Sequence, residues 1–301
     1  MQNAVVKRAA GLRLRKFRER EGAFLAEGAD LVAAGIAAGH RPQVVLVRHG
    51  SDAEAAASGD AALVGLAVYP VTDRVAEKVS TLESAPDVMA VFALPVRRPL
   101  EELRAGGEAG LAAPSPGPLV VYADRVADPG NMGTLLRAAA AFGATALVAA
   151  PGSVDLYGPK TVRASMGAVF ALPLYQGMTA AELVSRLGVE RVYGLVAHGG
   201  VPLDDAELSR PAVLCVGAER AGLASETLAH VTHQLTIELS PARSGGALDA
   251  GLSGAVESLN AGVAGAIALY EFARRGRATA APTQNRPGRP AGRSTHAHEK
   301  E

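Results

Sequence analysis

Hydrophobic positions along the chain alternate between short continuous runs and helical stripes, and this alternation occurs twice. In the first part, apolar runs predict strands at 22–28, 43–47, 66–71 and 87–94, with helical patterns at 29–39 and 73–82. In the second part, strands are predicted at 118–123, 144–150, 191–198, 212–219 and 234–239, and helices at 131–142, 179–187, 222–229 and 257–274. Continuous apolar runs are typical of parallel strands covered on both faces. The pattern therefore predicts two α/β units.

The spacing of these runs also predicts the domain boundaries. Residues 1–95 form a small N-terminal α/β unit that opens with a basic helix over 1–22. Residues 96–117 are rich in Pro, Gly and Ala and form a linker, in which "LEELRAG" is a candidate short helix. Residues 118–276 form the larger unit. The Thr-, Pro-, Gly- and Arg-containing segment 277–301 has the composition of a disordered basic tail.

Charge is neutral overall but concentrated at both ends of the chain. The 301 residues contain thirty basic and thirty acidic side chains. Residues 1–20 hold seven basic side chains against Glu19 alone, and the segment 273–301 holds seven against two acidic ones. Basic ends favour a polyanionic partner such as RNA, although a solvated helix face and a solvated tail explain the same charges.

The content of cysteine and histidine excludes several classes of protein. Cys215 is the single cysteine, so no intrachain disulfide and no cysteine-rich zinc site can form. It lies in the apolar run "AVLCVG", which predicts a buried core thiol. The seven histidines are scattered, and no metal site is expected. Without a signal peptide or an apolar run of about 18 residues, the sequence predicts a cytoplasmic protein.

The first stretch whose residues could take part in binding or catalysis is "DPGNMGTLLRAAAAFGA", which follows a predicted strand. Asn131 is placed as the N-cap of the next helix. On a helical wheel, Arg137 lies opposite the apolar stripe that would pack on the sheet. Arg137 is therefore either an ordinary exposed arginine or one directed at a substrate phosphate or a partner subunit.

Two later stretches place polar side chains after buried strands. In "LCVGAERAGLASE", Glu219 follows the small residues Gly217 and Ala218, where parallel sheets usually bind ligands. In "ESLNAGVAGAIALYEF", Ser258 and Asn260 precede a helix whose small residues allow close helix contact. Glu219 alone is equally a solvated loop carboxylate, and Ser258 and Asn260 alone are equally helix caps.

Together and in this order, the three stretches resemble the SpoU/TrmH family of RNA ribose 2′-O-methyltransferases, within the SPOUT superfamily. The family's N-x-G-x-x-x-R motif appears as Asn131, Gly133 and Arg137. Its G-x-E-x-x-G-L motif and its I…E-S-L-N motif also appear, and the matching positions are Gly217, Glu219, Gly222, Leu223, Ile237, Glu257, Ser258, Leu259 and Asn260. The resemblance covers about residues 118–275, including "DLYGPKTVRASMGAVFALPL" at 155–174. "FLAEG" and the basic segment before it also resemble a ribosomal-protein-L30e-like RNA-binding domain, through a less specific motif.

The chain departs from the family pattern at its third motif. Glu238 stands where the family usually has Pro after the Ile. Residues 238–256 separate that Ile from "ESLN", which implies an insertion of about a dozen Gly- and Ala-rich residues beside the cofactor loop, taken to be disordered.

The resemblance implies an α/β fold with a parallel sheet and a C-terminal trefoil knot, S-adenosylmethionine as cofactor, and a homodimer. The implied catalytic residues are Arg137, Asn131, Glu219, Ser258 and Asn260. The implied cofactor-contacting residues are Gly217, Ile237 and Leu259, with small side chains at Ala197 and Ala218 leaving room nearby. Basic side chains assigned to RNA binding are Arg13, Arg15, Lys16, Arg18, Lys160 and Arg163.

The resemblance also implies how the site works. Arg137 from one subunit would act beside the cofactor of the other. Since a guanidinium stays protonated in proteins, Arg137 is better suited to hold a phosphate and stabilise a developing alkoxide than to act as a base. The other polar residues would position Arg137 and the ribose.

Two other classes of function fit parts of the sequence. A non-catalytic RNA-binding relative would have lost Asn131, Arg137 or Asn260, and all three are present. A doubly wound nucleotide-dependent enzyme would carry G-x-G-x-x-G after its first strand, where this chain has "DRVADPGNMG". Ribosomal RNA, and specifically 23S ribosomal RNA, is the expected substrate, with transfer RNA as the alternative.

Overall fold

Two sheets organise the chain in the computed structural model, which describes residues 2–54, 65–96, 99–103, 117–239 and 258–280. The N-terminal sheet has four strands in the order β1-β4-β2-β3, comprising β1 (Ala23–Glu27), β2 (Val44–Arg48), β3 (Val68–Val71) and β4 (Val88–Ala93). β4 is antiparallel to β1 and β2, and β2 is parallel to β3. The predicted N-terminal strands are therefore confirmed; β1, β3 and β4 are each two residues shorter than their apolar runs, and β2 has the predicted length but begins one residue later.

The helices that accompany this sheet in the described part of the chain include α1 (Gln2–Gly11), α2 (Arg15–Glu21), α3 (Ala29–Ala37) and α4 (Asp73–Val79). The single basic helix predicted over 1–22 is wrong, because the chain breaks into α1 and α2. Leu12 is fully buried in the N-terminal core, and Leu14 takes an extended conformation ahead of α2. Burying Leu12 under α1 turns the chain and ends that helix.

The second sheet is entirely parallel and has seven strands in the order β7-β6-β5-β10-β8-β11-β9. The strands are β5 (Leu119–Asp124), β6 (Ala146–Ala149), β7 (Leu174–Gln176), β8 (Val192–Leu195), β9 (Val201–Pro202), β10 (Ala212–Gly217) and β11 (His233–Thr236). All five strands predicted from continuous apolar runs are present. β7 and β9 are too short to produce a recognisable run.

Helices cover both faces of the parallel sheet, as the continuous apolar strands predict. They are α5 (Pro129–Ala141), α6 (Pro159–Ala164), α7 (Ala168–Ala171), α8 (Ala180–Leu187), α9 (Ser225–Leu228) and α10 (Ala261–Ala280). One face packs α5 and α10 against Val121 and Val216, and the other packs α8 against Val120 and Val213. A 3₁₀ turn at Leu100–Leu103, within the predicted linker, also packs on this second face.

α10 and α5 run side by side in the same direction. A Cβ added at Gly262 would lie 2.9 Å from the carbonyl oxygen of Asn131, and one added at Gly265 would lie 2.5 Å from Leu135. At the other end, the rings of Tyr270 and Phe142 are 5.7 Å apart. The small residues of α10 therefore permit the close helix contact expected from the sequence. α10 also extends to Ala280, past the predicted start of the tail at 277, and 281–301 lie outside the described residues.

The two sheets share one hydrophobic core. Phe24 and Phe92 of the N-terminal sheet lie 5.5 Å and 4.8 Å from the ring of Phe170, which belongs to α7 beside the parallel sheet. Tyr157 adds a further ring 5.1 Å from Phe24. This aromatic cluster means that the N-terminal unit is packed against the larger unit. Among the described helices, none combines the length and apolarity needed to cross a membrane.

Candidate active site

A polar cluster of three side chains lies where α5, the loop after β10 and the start of α10 meet. Asn260 donates from Nδ2 to Asn131 Oδ1 at 2.6 Å and to Glu219 Oε1 at 2.8 Å. The Nδ2 group of Asn131 donates to the same Glu219 oxygen. Sequence reasoning took these residues from three motifs far apart in the chain, and the structure brings all three together.

The start of α5 differs from its prediction and explains the position of Asn131. Asp128, rather than Asn131, is the N-cap, because its carboxylate accepts a hydrogen bond from the backbone N–H of Asn131 at 2.8 Å. Pro129 occupies the first turn, where its missing N–H is no loss. Asn131 is thereby released from capping, and its side chain, 9% exposed, turns into the polar cluster. The placement of Asn131 as N-cap was wrong.

The loop after β10 is a tight turn that presents Glu219. Ala218 and Gly222 exchange two backbone hydrogen bonds, of 3.1 Å and 2.8 Å, across its neck. A Cβ added at Gly217 would lie 2.2 Å from the Gly222 carbonyl carbon, so a side chain at 217 would force the turn open. Gly222 itself has φ +66°, a left-handed conformation that glycine adopts without strain. The glycines of the second motif therefore shape the turn.

Asp124, which sequence reasoning did not single out, anchors the far end of this loop. It ends β5, is 2% exposed, and accepts a hydrogen bond of 2.6 Å from the backbone N–H of Ala224. Burial and the nearby Asp124 carboxylate raise the pKa of Tyr122 to about 12, so its phenol stays protonated. The signal for Asp124 was available: a carboxylate closes the apolar run "LVVYAD" at the ligand-binding edge of a parallel sheet.

A cleft adjoins the polar cluster and contains all five residues predicted to contact the cofactor. It encloses about 630 Å³ of empty space including its open mouth. Its lining includes Ala197, Gly217, Ala218, Ile237 and Leu259, together with Glu219, Ser258, Ala261 and Ala264. The walls are mostly small or apolar, which suits a ligand held through backbone groups. Glu257 of the third motif, and residues 240–256 of the insertion, lie outside the described residues.

Arg137 lies on α5 apart from the polar cluster. Its side chain is exposed, and no hydrogen bond or ion pair to it occurs within the described ranges. Arg137 lies about one and two-thirds turns beyond Asn131, so within one subunit it does not join the cluster. Beside it, α10 exposes an apolar stripe of Val263, Ile267 and Tyr270, whose exposed fractions are 43%, 38% and 47%.

The basic residues assigned to RNA fall into two groups. Arg13, Arg15, Lys16 and Lys160 are exposed. Arg18 is buried, donates to the Leu12 carbonyl and pairs with Asp155. Arg163 pairs with the buried Glu27 at 3.0 Å. Guanidinium groups paired inside the protein are poorly placed for phosphate, so the RNA assignment of Arg18 and Arg163 is revised. Cys215 is buried as expected, and burial raises the pKa of its thiol, which keeps it unreactive.

Comparisons with known proteins agree with the fold and with the family resemblance. The profile of the SpoU rRNA Methylase family matches residues 118–245, and that of the MRM3-like substrate binding domain matches residues 3–90. The chain is 28% identical over 277 residues to the 23S rRNA (guanosine(2553)-2'-O)-methyltransferase RlmP of Bacillus subtilis, covering 90% of this chain and 96% of the relative.

Solved structures cover nearly the whole chain. A TrmH-family RNA methyltransferase structure from Porphyromonas gingivalis is 31% identical with a TM-score of 0.69, and the match covers 90% of this chain and 97% of that one. An AdoMet-bound rRNA methyltransferase from Sinorhizobium meliloti is 29% identical with a TM-score of 0.70, covering 92% and 96%. The fold and the site thus define an RNA methyltransferase of the SPOUT type. The chain belongs to the SpoU rRNA methylase family.

Proposed function

We propose that the protein transfers a methyl group from S-adenosylmethionine to a ribose 2′-hydroxyl of RNA, with 23S ribosomal RNA as the favoured substrate. The observation that carries this proposal is the Asn131–Glu219–Asn260 cluster at the edge of an apolar, small-residue cleft. A B. subtilis relative is named as a 23S rRNA 2′-O-methyltransferase, and an S. meliloti neighbour was solved with AdoMet bound.

The cleft suits S-adenosylmethionine by its lining. The carbonyls and N–H groups around Gly217 and Ala218 are approachable because their side chains are absent or small. Ile237 and Leu259 supply apolar surface for a planar ring, and among the described lining residues there is no lysine or arginine to repel a sulfonium. Gly217, Ala218, Ile237, Leu259 and Ala197 are therefore proposed to hold the cofactor.

The proposed reaction is a displacement at carbon. When bound, the cofactor would supply a methyl group on a sulfonium. The ribose oxygen would form the new O–CH₃ bond as the S–CH₃ bond breaks, and the hydroxyl proton would pass to the Glu219 carboxylate or to solvent. The chain must align the hydroxyl at about 3–3.5 Å from the methyl carbon. Within the described residues, Glu219 Oε1 receives both asparagine amides, which leaves Oε2 to accept from the ribose hydroxyl. Asn131 and Asn260 fix that carboxylate, and Ser258 lies on the same cleft.

Arg137 is proposed to act on the RNA rather than on the cofactor. A guanidinium forms bidentate hydrogen bonds to phosphate and stabilises an oxygen that is gaining negative charge. Its exposed position on α5, away from the cluster of its own subunit, fits delivery to the site of a second subunit. The protein is accordingly proposed to be a homodimer in which each site combines the cleft of one subunit with Arg137 of the other.

The apolar stripe of α10 supports this dimer. Val263, Ile267 and Tyr270 recur at positions i, i+4 and i+7 on a solvent-facing side of the helix, where a monomer would carry polar residues. The stripe adjoins α5, so a partner packed on it would lie close to Arg137.

Residues 1–95 are proposed as the RNA substrate-binding domain, 96–117 as its linker, 118–276 as the catalytic domain and 277–301 as a basic tail. The trefoil knot is proposed from family membership, because residues 240–257, which lead into α10, lie outside the described part of the chain. Transfer RNA is the alternative substrate. A cytoplasmic location accords with either RNA.

The test is methyl transfer to RNA with and without Arg137. We expect the purified protein to transfer labelled methyl groups from S-adenosylmethionine to 23S rRNA, with 2′-O-methyl mapping locating the target nucleotide. Arg137→Ala should lose most of this activity while its calorimetric affinity for S-adenosylmethionine is unchanged. Arg186→Ala, an exposed arginine on α8, is the matched control and should behave as wild type. Near wild-type turnover by Arg137→Ala would contradict the role of Arg137, and methylation of transfer RNA alone would replace the substrate.

A further inference from the structure

Two ion pairs join the N-terminal unit to a single short segment of the larger unit. The segment runs from Asp155 to Ser165 and contains α6; it is called the α6 segment below. Arg18 of α2 pairs with Asp155 at one end, and Glu27 of β1 pairs with Arg163 at the other. The N-terminal unit thus supplies the cation at one end of the α6 segment and the anion at the other. If the segment were reversed against this unit, like charges would face each other, so the two pairs favour a single orientation.

Each pair joins one deeply buried side chain to a partly buried partner, Asp155 or Arg163, whose side chains are 18% and 22% exposed. The side chains of Arg18 and Glu27 are 6% and 1% exposed. Besides Arg163, Glu27 accepts hydrogen bonds from the Ser80 hydroxyl at 2.7 Å, the Thr81 N–H at 2.9 Å and the Thr81 hydroxyl at 2.7 Å. Arg163 also donates to the Thr81 hydroxyl at 2.6 Å. Pairs with this burial and this many partners hold geometry better than exposed ones, which contribute little.

The α6 segment also touches the helix that carries Arg137. A Cβ added at Gly133 of α5 would lie 2.3 Å from the Cβ of Ala164, the last residue of α6. Ser165, next along the chain, is fully buried. The segment therefore contacts the N-terminal unit on one side and the N-x-G-x-x-x-R helix on the other.

We propose that the α6 segment sets a fixed distance between RNA held by the N-terminal unit and the methyl-transfer site, and that Asp155 and Arg163 are positioning residues that select the target nucleotide. This inference rests on the proposed function. Arg163 acts through Glu27 and does not contact RNA. Because a displacement of about 1 Å at a reacting centre can cost 100-fold in rate, a loosened segment would reduce methylation without reducing RNA affinity.

The test compares Arg163→Ala combined with Asp155→Asn against Lys160→Ala. Lys160 is exposed on the same helix and is the matched control for an RNA contact. We expect the double variant to lower kcat for 23S rRNA roughly 10- to 100-fold, or to spread methylation to neighbouring nucleotides, with an unchanged salt slope of RNA binding. Lys160→Ala should instead reduce that slope by about one unit, without spreading methylation to neighbouring nucleotides. Arg163→Lys keeps the positive charge, so a variant that carries it in place of Arg163→Ala should have a higher kcat than the double variant.

A second measurement needs no activity. Since Cys215 is buried and its thiol unreactive, spin labels at Ala33→Cys on α3 and Ala181→Cys on α8 report the distance between the units. We expect one narrow distance distribution, which broadens in the double variant. A salt slope that falls by about one unit in Arg163→Ala would make Arg163 an RNA contact and overturn the proposal. The proposal would also be overturned if the double variant kept a narrow distance distribution, the wild-type kcat and the wild-type target nucleotide. Absence of methyl transfer by the wild-type protein would reject the proposed function instead, and the distances would still test whether the α6 segment fixes the two units.

Discussion

At the scale of single residues, Asp124 shows how the site depends on a side chain that need not meet the substrate. Its carboxylate holds the Ala224 N–H, while the neck of the same loop is closed between Ala218 and Gly222. Glu219 lies within the turn that this neck closes, and Ala224 follows the turn two residues later. The position of the carboxylate that the asparagines share is therefore set partly from β5, a strand that carries none of the predicted site residues.

We expect Asp124→Ala to weaken S-adenosylmethionine binding, because the Ala224 N–H is left buried and unpaired at a cost of about 1–3 kcal/mol. Asp124→Asn keeps an acceptor oxygen and should recover most of the affinity, as measured by calorimetry. Ser153→Ala is the control, since it removes a hydrogen bond to the neighbouring Ala123 carbonyl without touching the loop. Equal losses in the Ala and Asn variants would argue against the anchoring role.

Residue identities in the site could be read from the sequence, but their roles were less accessible. Asn131, Glu219 and Asn260 were identified because family motifs carry them, and the cleft gathers the predicted cofactor residues. The capping role was assigned to the wrong residue because Asp128 and Asn131 are both good caps, and only the backbone decides between them. Arg18 and Arg163 look like any other basic side chains until their partners, 137 and 136 positions away, are known.

At the scale of elements, the pair of helices α5 and α10 has a buried contact between the helices and an exposed apolar stripe on α10. Buried glycines join the two helices to each other, and the exposed stripe of Val263, Ile267 and Tyr270 faces outward. The sequence predicted the tight packing from the small residues of α10. It did not predict which side of α10 would stay exposed, because that depends on how α10 is rotated against α5.

We expect Ile267→Asp to convert the protein to a monomer, because a carboxylate in the centre of an apolar contact would be desolvated without a partner. Sedimentation velocity measures the change, and methylation should be lost with the dimer. Ala181→Asp, at an exposed position on α8, is the control and should leave the sedimentation coefficient unaltered. A wild-type protein that sediments as a monomer would remove the basis for a shared site.

A mixing experiment tests whether two subunits share each site. Arg137→Ala lacks the arginine, and Ala197→Trp fills the cleft, so each variant alone should be inactive. When the two are unfolded and refolded together, half of the dimers are mixed and each contains one complete site, which predicts about one quarter of wild-type activity. Activity no greater than that of the separate variants would place Arg137 and the cleft in the same subunit.

At the scale of the whole molecule, a group of exposed basic side chains lies on α2 and the turn before it. Arg13, Arg15 and Lys16 are exposed there, whereas neighbouring Arg18 faces inward to Asp155. The exposed pair between Arg15 and Glu19, at 2.8 Å, contributes little to stability and can be exchanged for a phosphate contact. The N-terminal charge thus divides between RNA binding and domain docking.

We expect replacement of Arg13, Arg15 and Lys16 by alanine to weaken RNA binding. The slope of log affinity against log salt concentration should fall by about two to three units, because fewer counterions are released when fewer phosphates are contacted. Filter binding at several salt concentrations measures this. The double variant Arg186→Ala and Arg191→Ala, which removes exposed arginines of the larger unit, should retain the slope. An unchanged slope in the triple variant would move the RNA surface elsewhere.

The two-unit α/β organisation and the parallel sheet were predictable because buried parallel strands leave continuous apolar runs. The strand order and the joint between the units were not, since both depend on contacts between distant segments. Phe24, Phe92 and Phe170 look like separate core residues in the sequence, yet they form one cluster. The sequence predicts two units joined by a linker, and in the structure these two units pack closely against each other.

The meeting of Asn131 with Asn260 also has a consequence for how the protein is made. The two asparagines are 129 positions apart, and Asn260 immediately precedes α10, the last helix of the described chain. α10 also forms one wall of the cleft through Ala261 and Ala264. A nascent chain therefore has no complete site until translation has passed this helix and the helix has left the ribosome. Fragments truncated before residue 258 should accumulate without the ability to modify RNA, so activity reports on full-length synthesis.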